Sequence, residues 1–185
     1  MLTAKQIIDK KIVFLTEEAK NHYSIDELSP AQVGIDLHLV SCSKVKSVSF
    51  KESGHIYSDN RKNKKTKITS TDLCTPKEEE DGNFTFVLEP GVYEIGFAEG
   101  CNFDNKSFGK IVHRSSLYRN GVEINSPIWD PGFHTDEMGT FMIVHVPVKI
   151  DLYARVAQMI VFETNEESEK YEGQYQGQGV LNGNH

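Results

Sequence analysis

Cysteine is scarce in this sequence of 185 residues: Cys42, Cys74 and Cys101 are the only three. Their odd number and their spacing argue against a disulfide framework or a cysteine zinc site, and point to a reducing, cytoplasmic setting. Long apolar runs are missing too. No stretch of about 18 apolar residues exists, which argues against a transmembrane helix and a membrane partner. The N-terminus has no signal-peptide core, because Asp9, Lys10 and Lys11 interrupt it. Positive charge is in deficit: 20 Lys and Arg against 27 Asp and Glu give a net charge of -7. A nucleic-acid polymer wants a basic surface, so no such partner is expected. A small anionic ligand stays compatible, since a pocket can be basic on an acidic protein.

What is present is the composition of one globular domain: 38% hydrophobic and 25% charged residues, with Gly 14 and Pro 6. A short helix is expected first, capped by Thr3, with Ile7, Ile8 and Ile12 near helical spacing. After Pro30 the period falls to two, with Val33, Ile35, Leu37 and Leu39 alternating with Gly34, Asp36, His38 and Val40. Residues 51–82 carry a lysine-rich cluster (Arg61 to Lys67) and then Glu78 to Asp81, which reads as a solvated polar insertion or hairpin. Phe84, Phe86 and Leu88 lead to Pro90-Gly91, and Tyr93, Ile95 and Phe97 follow on one face, a β-hairpin signal. Apolar runs at 141–146 and 156–162 add strands, and no helix is expected after the first. Many short strands suggest a sandwich, jelly roll or barrel. The last residues are polar and Gly/Gln-rich, so they read as a mobile tail.

Five segments could carry chemistry. Arg114-Ser115-Ser116-Leu117-Tyr118-Arg119 puts two planar donor forks and two hydroxyls close together, which suits phosphate oxygens. It also reads as a capped surface turn. Trp129-Asp130-Pro131-Gly132-Phe133 sets a carboxylate at a strand end, able to polarise water, or is plain turn chemistry. Asp36 and Gln158 are polar residues inside otherwise apolar strands; buried there, each needs a partner. The tail from Tyr171 to Gly179 combines tyrosines that can stack on a base with glycines that permit close approach to phosphates.

In this order, Gly34-Ile35-Asp36-Leu37, Arg114-Ser115-Ser116-Leu117, Trp129-Asp130-Pro131-Gly132-Phe133, Ala157-Gln158-Met159 and the Tyr-Gln-Gly tail resemble the dUTPase / dCTP deaminase superfamily. The likeness spans nearly the whole chain and is strongest to the archaeal-type and viral dUTPases that look like dCTP deaminases. It implies an all-β fold, a distorted jelly-roll β-barrel with a short N-terminal helix, assembled as a homotrimer with active sites at subunit interfaces. Residues 1–170 would form the barrel domain, and 171–185 a flexible tail closing over the active site. The insertion at 51–82 is outside the pattern.

The resemblance also implies the site. Asp130 would orient and polarise the attacking water. Arg114, Ser115 and Ser116 would hold phosphates, supported by Arg119, and Gln158 would bind a phosphate or a metal-bound water. Asp36 would order the water shell of Mg²⁺ carried by the triphosphate, or the interface. Asn125 and Ser126, expected in the loop before Asp130, would border sugar and base, and Tyr175 and Gln178 in the tail would contact the nucleotide. Deaminases of the superfamily use a Glu about ten residues after this Asp, in a strand reading roughly Gly-x-Ile-x-Leu-Glu. Aligned on Gly139, that position here is Val144, with His145 next to it and pointing to the other face. The expected activity is therefore hydrolysis of dUTP to dUMP and diphosphate. The alternatives are a dCTP deaminase, mono- or bifunctional, with Glu137 as substitute acid, or a catalytically silent nucleotide-binding regulator.

Overall fold

A computed structural model of the chain describes residues 1–22, 27–46, 71–173 and 175–177. Thr3 starts α1 (Ala4–Asp9) through a capping box: its hydroxyl accepts from the Gln6 amide, and the Gln6 side chain accepts from the Thr3 amide. Ile7 is buried, Ile8 is exposed, and Ile12 reaches the core from beyond the helix end, so the helical stripe is one residue wide. Then come β1 (Val13–Leu15), α2 (Glu17–His22), β2 (Ser29–Pro30), β3 (Ile35–Val45), β4 (Thr71–Leu73) and β5 (Lys77–Glu78). β6 (Phe84–Leu88), β7 (Gly91–Phe97), β8 (Glu99–Asn102) and β9 (Ser107–His113) follow. The chain ends its regular structure with α3 (Ser115–Arg119), β10 (Val122–Trp129), β11 (His134–Thr135), β12 (Gly139–Val144), β13 (Val148–Asp151) and β14 (Arg155–Glu163). No described helix is long and apolar enough to cross a membrane.

Six strands close into a barrel in the order β14, β9, β10, β12, β7, β3, and the ring is completed because β3 also pairs with β14. Every pairing around it is antiparallel. Closure satisfies the backbone groups that an open edge would leave bare. Leu37, Leu39, Ile95, Ile111, Met142 and Met159 fill the core from successive strands. Two three-stranded sheets flank the ring, β1-β8-β11 and β13-β6-β5. The all-β barrel with a short N-terminal helix is thus present.

Two local expectations are corrected. Pro90-Gly91 does not close a hairpin: β6 pairs with β5 and β13, whereas β7 pairs with β3 and β12. Both sides of β7 are taken by longer ladders, so the turn carries the chain from one sheet into another. Two further helices exist among the described residues, α2 and α3, of six and five residues. Segments that short cannot display a helical period and are stabilised by packing. β3 settles a choice the sequence left open, whether the face carrying Asp36 is buried or exposed. Residues 35–39 are all buried, so Asp36 and His38 lie on a covered polar face. Of the polar stretch 51–82, residues up to 70 lie outside the described residues; the rest contributes β4 and β5.

Candidate active site

Asp36 is 3% exposed, and a carboxylate so buried must be paired. The sheet supplies the partners. β14 sets Gln158 directly opposite Asp36, and Gln158 Nε2 donates to Oδ1 at 2.9 Å. β9 runs along the other side of β14 and ends at His113, so Arg114 projects from its end; the Arg114 amide donates to Val156 O at 3.0 Å. The Arg114 guanidinium donates to Asp36 Oδ2 in an ion pair. Arg155 Nη1 stands 3.6 Å from the same oxygen. Two guanidiniums therefore converge on one carboxylate and leave a local excess of positive charge. Both remain partly exposed, Arg155 more than Arg114, so they can turn donors toward an anion. Ser115 and Ser116 open α3 beside them and are exposed; Arg119 ends the helix and is exposed. Tyr118 of the same helix stacks parallel on His113, with centroids 5.6 Å apart.

A second constellation forms at the opposite end of β10. Asp130 is exposed at the mouth of a cavity of about 360 Å³, large enough for a nucleobase and sugar, whose walls include Trp129, Phe133, Glu137, Tyr171 and Tyr175. Trp129, Phe133 and Tyr171 form a ladder of edge-to-face contacts at 5.2 and 5.4 Å. The Trp129 indole Nε1 is buried with no hydrogen-bond partner among the described residues. The turn after Asp130 needs Gly132, whose φ is +77° and where a Cβ would meet Lys170 at 2.8 Å. The start of the expected tail lies on this turn. The Tyr171 amide donates to Pro131 O at 3.0 Å, and the Gly177 amide to His134 O at 3.0 Å. Gln176 clasps the turn with both ends of its amide: Nε2 donates to Gly132 O at 2.8 Å, and Oε1 accepts from the His134 amide at 3.3 Å. Burial pushes the Tyr171 hydroxyl up, with the Asp130 charge adding to the effect.

The structure brings Asp36, Arg114 and Gln158 together, with Ser115, Ser116 and Arg119 alongside, and separately brings Asp130 and Tyr175 together. It does not join the two groups within one chain. Trp129 pairs with Gly109 near the start of β9, while Arg114 follows its end, about 17 Å further along at the usual rise of a strand. Asn125 and Ser126 are not in a loop but inside β10, where the register on β9 slips between Asn125 and Ile128. The bulge needs a polar stitch. Ser126 provides it, accepting from the Ile111 amide at 2.9 Å and donating to Pro127 O at 2.8 Å. Asn125 is exposed, and its carbonyl accepts from Thr140 Oγ1 at 2.8 Å. Gln178 lies outside the described residues. Val144 is 2% exposed, facing the core opposite Val122, while His145 is turned outward with its Nε2 3.3 Å from Glu123.

Sequence reasoning missed Arg155, Tyr171 as a wall of the cavity, and Gln176. Arg155 had a signal in its place three residues before Gln158, across the ladder from His38. Gln176 had none, since an amide in a Gly/Gln-rich tail has no pattern that names its partner.

Residues 5–164 match the dCTP deaminase-like family, and the chain belongs to it. It is 36% identical over 103 residues to the probable deoxyuridine 5'-triphosphate nucleotidohydrolase of Halobacterium salinarum, a match covering 55% of this chain and 61% of that protein. The chain thus spans about three-fifths of the length of that relative. The deoxyuridine 5'-triphosphate nucleotidohydrolase of Methanocaldococcus jannaschii is 29% identical over 160 residues, covering 86% of this chain and 95% of the relative. Among solved structures, the 2'-deoxycytidine 5'-triphosphate deaminase of Agrobacterium tumefaciens shares the fold at a TM-score of 0.54 and 15% identity, covering 88% of this chain and 47% of that one.

Proposed function

We propose that this protein hydrolyses dUTP to dUMP and diphosphate. The observation that carries the reading is Val144. The position at which a deaminase of this family would place its proton-shuttling Glu holds an aliphatic side chain turned into the core, while Asp130 stands exposed at the cavity mouth. Hydrolysis asks for a positioned water and neutralised phosphates, not for an acid at 144. The names of the archaeal relatives agree.

In this reading Asp130 accepts a proton from a water as its oxygen bonds to the α-phosphorus. The bond from that phosphorus to the bridging oxygen breaks, and diphosphate leaves. Arg114, Ser115, Ser116 and Gln158 hold the phosphates, with Arg119 and Arg155 adding charge. The cavity beside Trp129 and Phe133 takes uracil and deoxyribose, bordered by Asn125 and the backbone at Ser126, and Tyr175 covers them with Gln178 following. Both Asp36 oxygens are engaged by Arg114 and Gln158, and no trio of His, Cys, Asp or Glu among the described residues could cage an ion. That donor set fits a Mg²⁺ that arrives on the triphosphate and meets Asp36 only through water. The ion would supply charge neutralisation on the phosphates.

The two constellations meet only if one chain's Arg114 faces another chain's Asp130, which favours the homotrimer. Phe141, Ile143 and Val92 support it as neighbouring exposed apolar residues on β12 and β7. One observation favours the deaminase alternative: Glu137 lines the same cavity as Asp130. Incubation with dUTP and dCTP separately, with products resolved by chromatography, decides. dUMP from dUTP and unchanged dCTP are expected, and Asp130→Asn should lower turnover by about 10²–10⁴-fold with nucleotide still bound. Accumulation of dUTP or dUMP from dCTP would establish the deaminase. Binding of both nucleotides without turnover would leave the silent regulator.

A further inference from the structure

We propose that Cys42 and Cys74 are an oxidation site, forming a reversible cross-strand disulfide that ties β4 to the barrel. The register places them face to face. β3 and β4 pair as Ser43 with Leu73, Lys44 with Asp72 and Val45 with Thr71. One step further along this antiparallel ladder sets Cys42 against Cys74, and the Cys74 amide donates to Cys42 O at 2.8 Å, so the ladder does continue. Directly opposed residues of such a pair have Cα atoms about 4.5–5.5 Å apart and side chains on one face. That lies inside the range of about 4.4–6.8 Å that a disulfide spans without backbone movement. The Cys74 thiol donates to Asp72 O at 3.9 Å, and the Cys42 thiol is pushed up first by burial and then by its neighbour Cys74.

Their exposures differ in a useful way. Cys42 is fully buried and Cys74 is only partly so. A reagent therefore meets Cys74 first, and Cys42 waits behind it as the resolving thiol. Cys101 is fully buried on β8, in another sheet, and serves as the internal control.

The oxidant is a low-molecular-weight disulfide. The Cys74 thiolate attacks one of its sulfurs, forming a mixed disulfide and releasing one thiol, which takes a proton. Cys42 then gives up its proton and attacks Cys74 Sγ, expelling the second thiol. Two protein thiols lose two electrons and two protons in all, and the reagent becomes two thiols. In a reducing compartment such a bond reports oxidation rather than serving as a permanent staple. In the reduced chain, β4 is tied to β3 by a three-residue ladder and by the ion pair of Lys46 with Asp72 at 2.7 Å. The bond would close a loop of roughly 30 residues, a length at which cross-linking restricts the unfolded chain substantially.

The test treats the native protein with oxidised glutathione, alkylates free thiols after denaturation, and maps peptides by mass spectrometry. The expected product is a peptide pair joined through Cys42 and Cys74, two hydrogen masses below the sum of its parts, with Cys101 alkylated. The oxidised form should melt about 5–10 °C higher than the reduced form, reversibly on adding dithiothreitol. Cys74→Ser should remove both the cross-link and the shift, and Cys101→Ser should remove neither. A glutathione adduct that persists on Cys74 with Cys42 still free, or cross-linking between chains, would overturn the proposal. Neither outcome bears on dUTP hydrolysis, so this inference stands or falls apart from the proposed activity.

Discussion

Asp36 illustrates what one buried charge demands. Arg114 takes one of its oxygens and Gln158 the other, and both partners keep donors to spare. In the proposed reading such a carboxylate acts by holding the side chains that would bind phosphate in place, since an unanchored Arg must be ordered afresh at every binding event. Gln176 does the corresponding work at the other constellation. Its amide makes the side-chain hydrogen bonds from the described tail to the turn after Asp130, beside the ring contact of Tyr171 with Phe133. Removing it opens the part-buried Gly132 carbonyl and the exposed His134 amide to water, so folding should change by no more than about 1 kcal/mol. What should change is the fraction of molecules with Tyr175 over the cavity, because binding is weakened by the share of the ensemble that is not competent. Gln176→Ala is therefore expected to raise the KM for dUTP about 3–10-fold with the melting temperature nearly unmoved. Steady-state kinetics beside a melting curve check this, and an unchanged KM would remove the clasp from binding.

Among elements, β3 repays attention because both its faces are covered. Alternation marked it as a strand and named Asp36, yet alternation cannot say that the polar face is buried too. That depends on β14 and β8 arriving from far along the chain, and on β2 folding back from just before it. The strands around 84–88 and 92–97 were legible for the same reason, and the apolar runs at 141–146 and 156–162 marked β12 and β14 to within two residues. Pairing was not legible, and Pro90-Gly91 looks the same whether the strands beside it pair or part. Asn125 and Ser126 stand next to Pro127, which reads as loop, but a bulge lets β10 absorb it.

Beneath β3, on β8, Glu99 is fully buried against His38, whose Nδ1 lies 2.6 Å from Oε1 and whose amide donates to Oε2 at 3.0 Å. Burial raises the Glu99 carboxyl above its ordinary 4.5, outweighing the opposing hydrogen bonds and charge of His38. A folded value above the unfolded one means that the folded state holds the proton longer. Its stabilising contribution is therefore complete below about pH 4.5 and declines as pH rises through the folded value. Glu99→Gln removes that titration. Denaturation of both proteins between pH 4 and 8 should show wild-type stability falling relative to the variant as pH rises from about 4.5. A constant difference would mean that Glu99 does not titrate in this window.

At the scale of the whole molecule, the decisive fact is that β9 and β10 carry the two halves of the site to opposite ends of one ribbon. Arg114 follows the end of β9, and Asp130 follows the end of β10 beside the start of β9. If Asp130 holds the water and Ser115 and Ser116 hold the phosphate, as proposed, the two cannot meet within one chain across about 17 Å. A second copy can close that gap, and this gives a test independent of any measurement of mass. Asp130→Asn removes the water-polarising charge from one half. The paired change Ser115→Ala and Ser116→Ala removes exposed hydroxyls from the other half with little cost to folding. Each variant alone should be nearly inactive. If a site takes its serines from one subunit and its aspartate from a neighbour, trimers assembled at random from a 1:1 co-expression contain about one intact site in four, and close to a quarter of wild-type turnover returns. A site contained within one chain has no intact copy in any such mixture, so activity that stays at the level of the separate variants would locate both halves in a single subunit and remove the reason for the trimer.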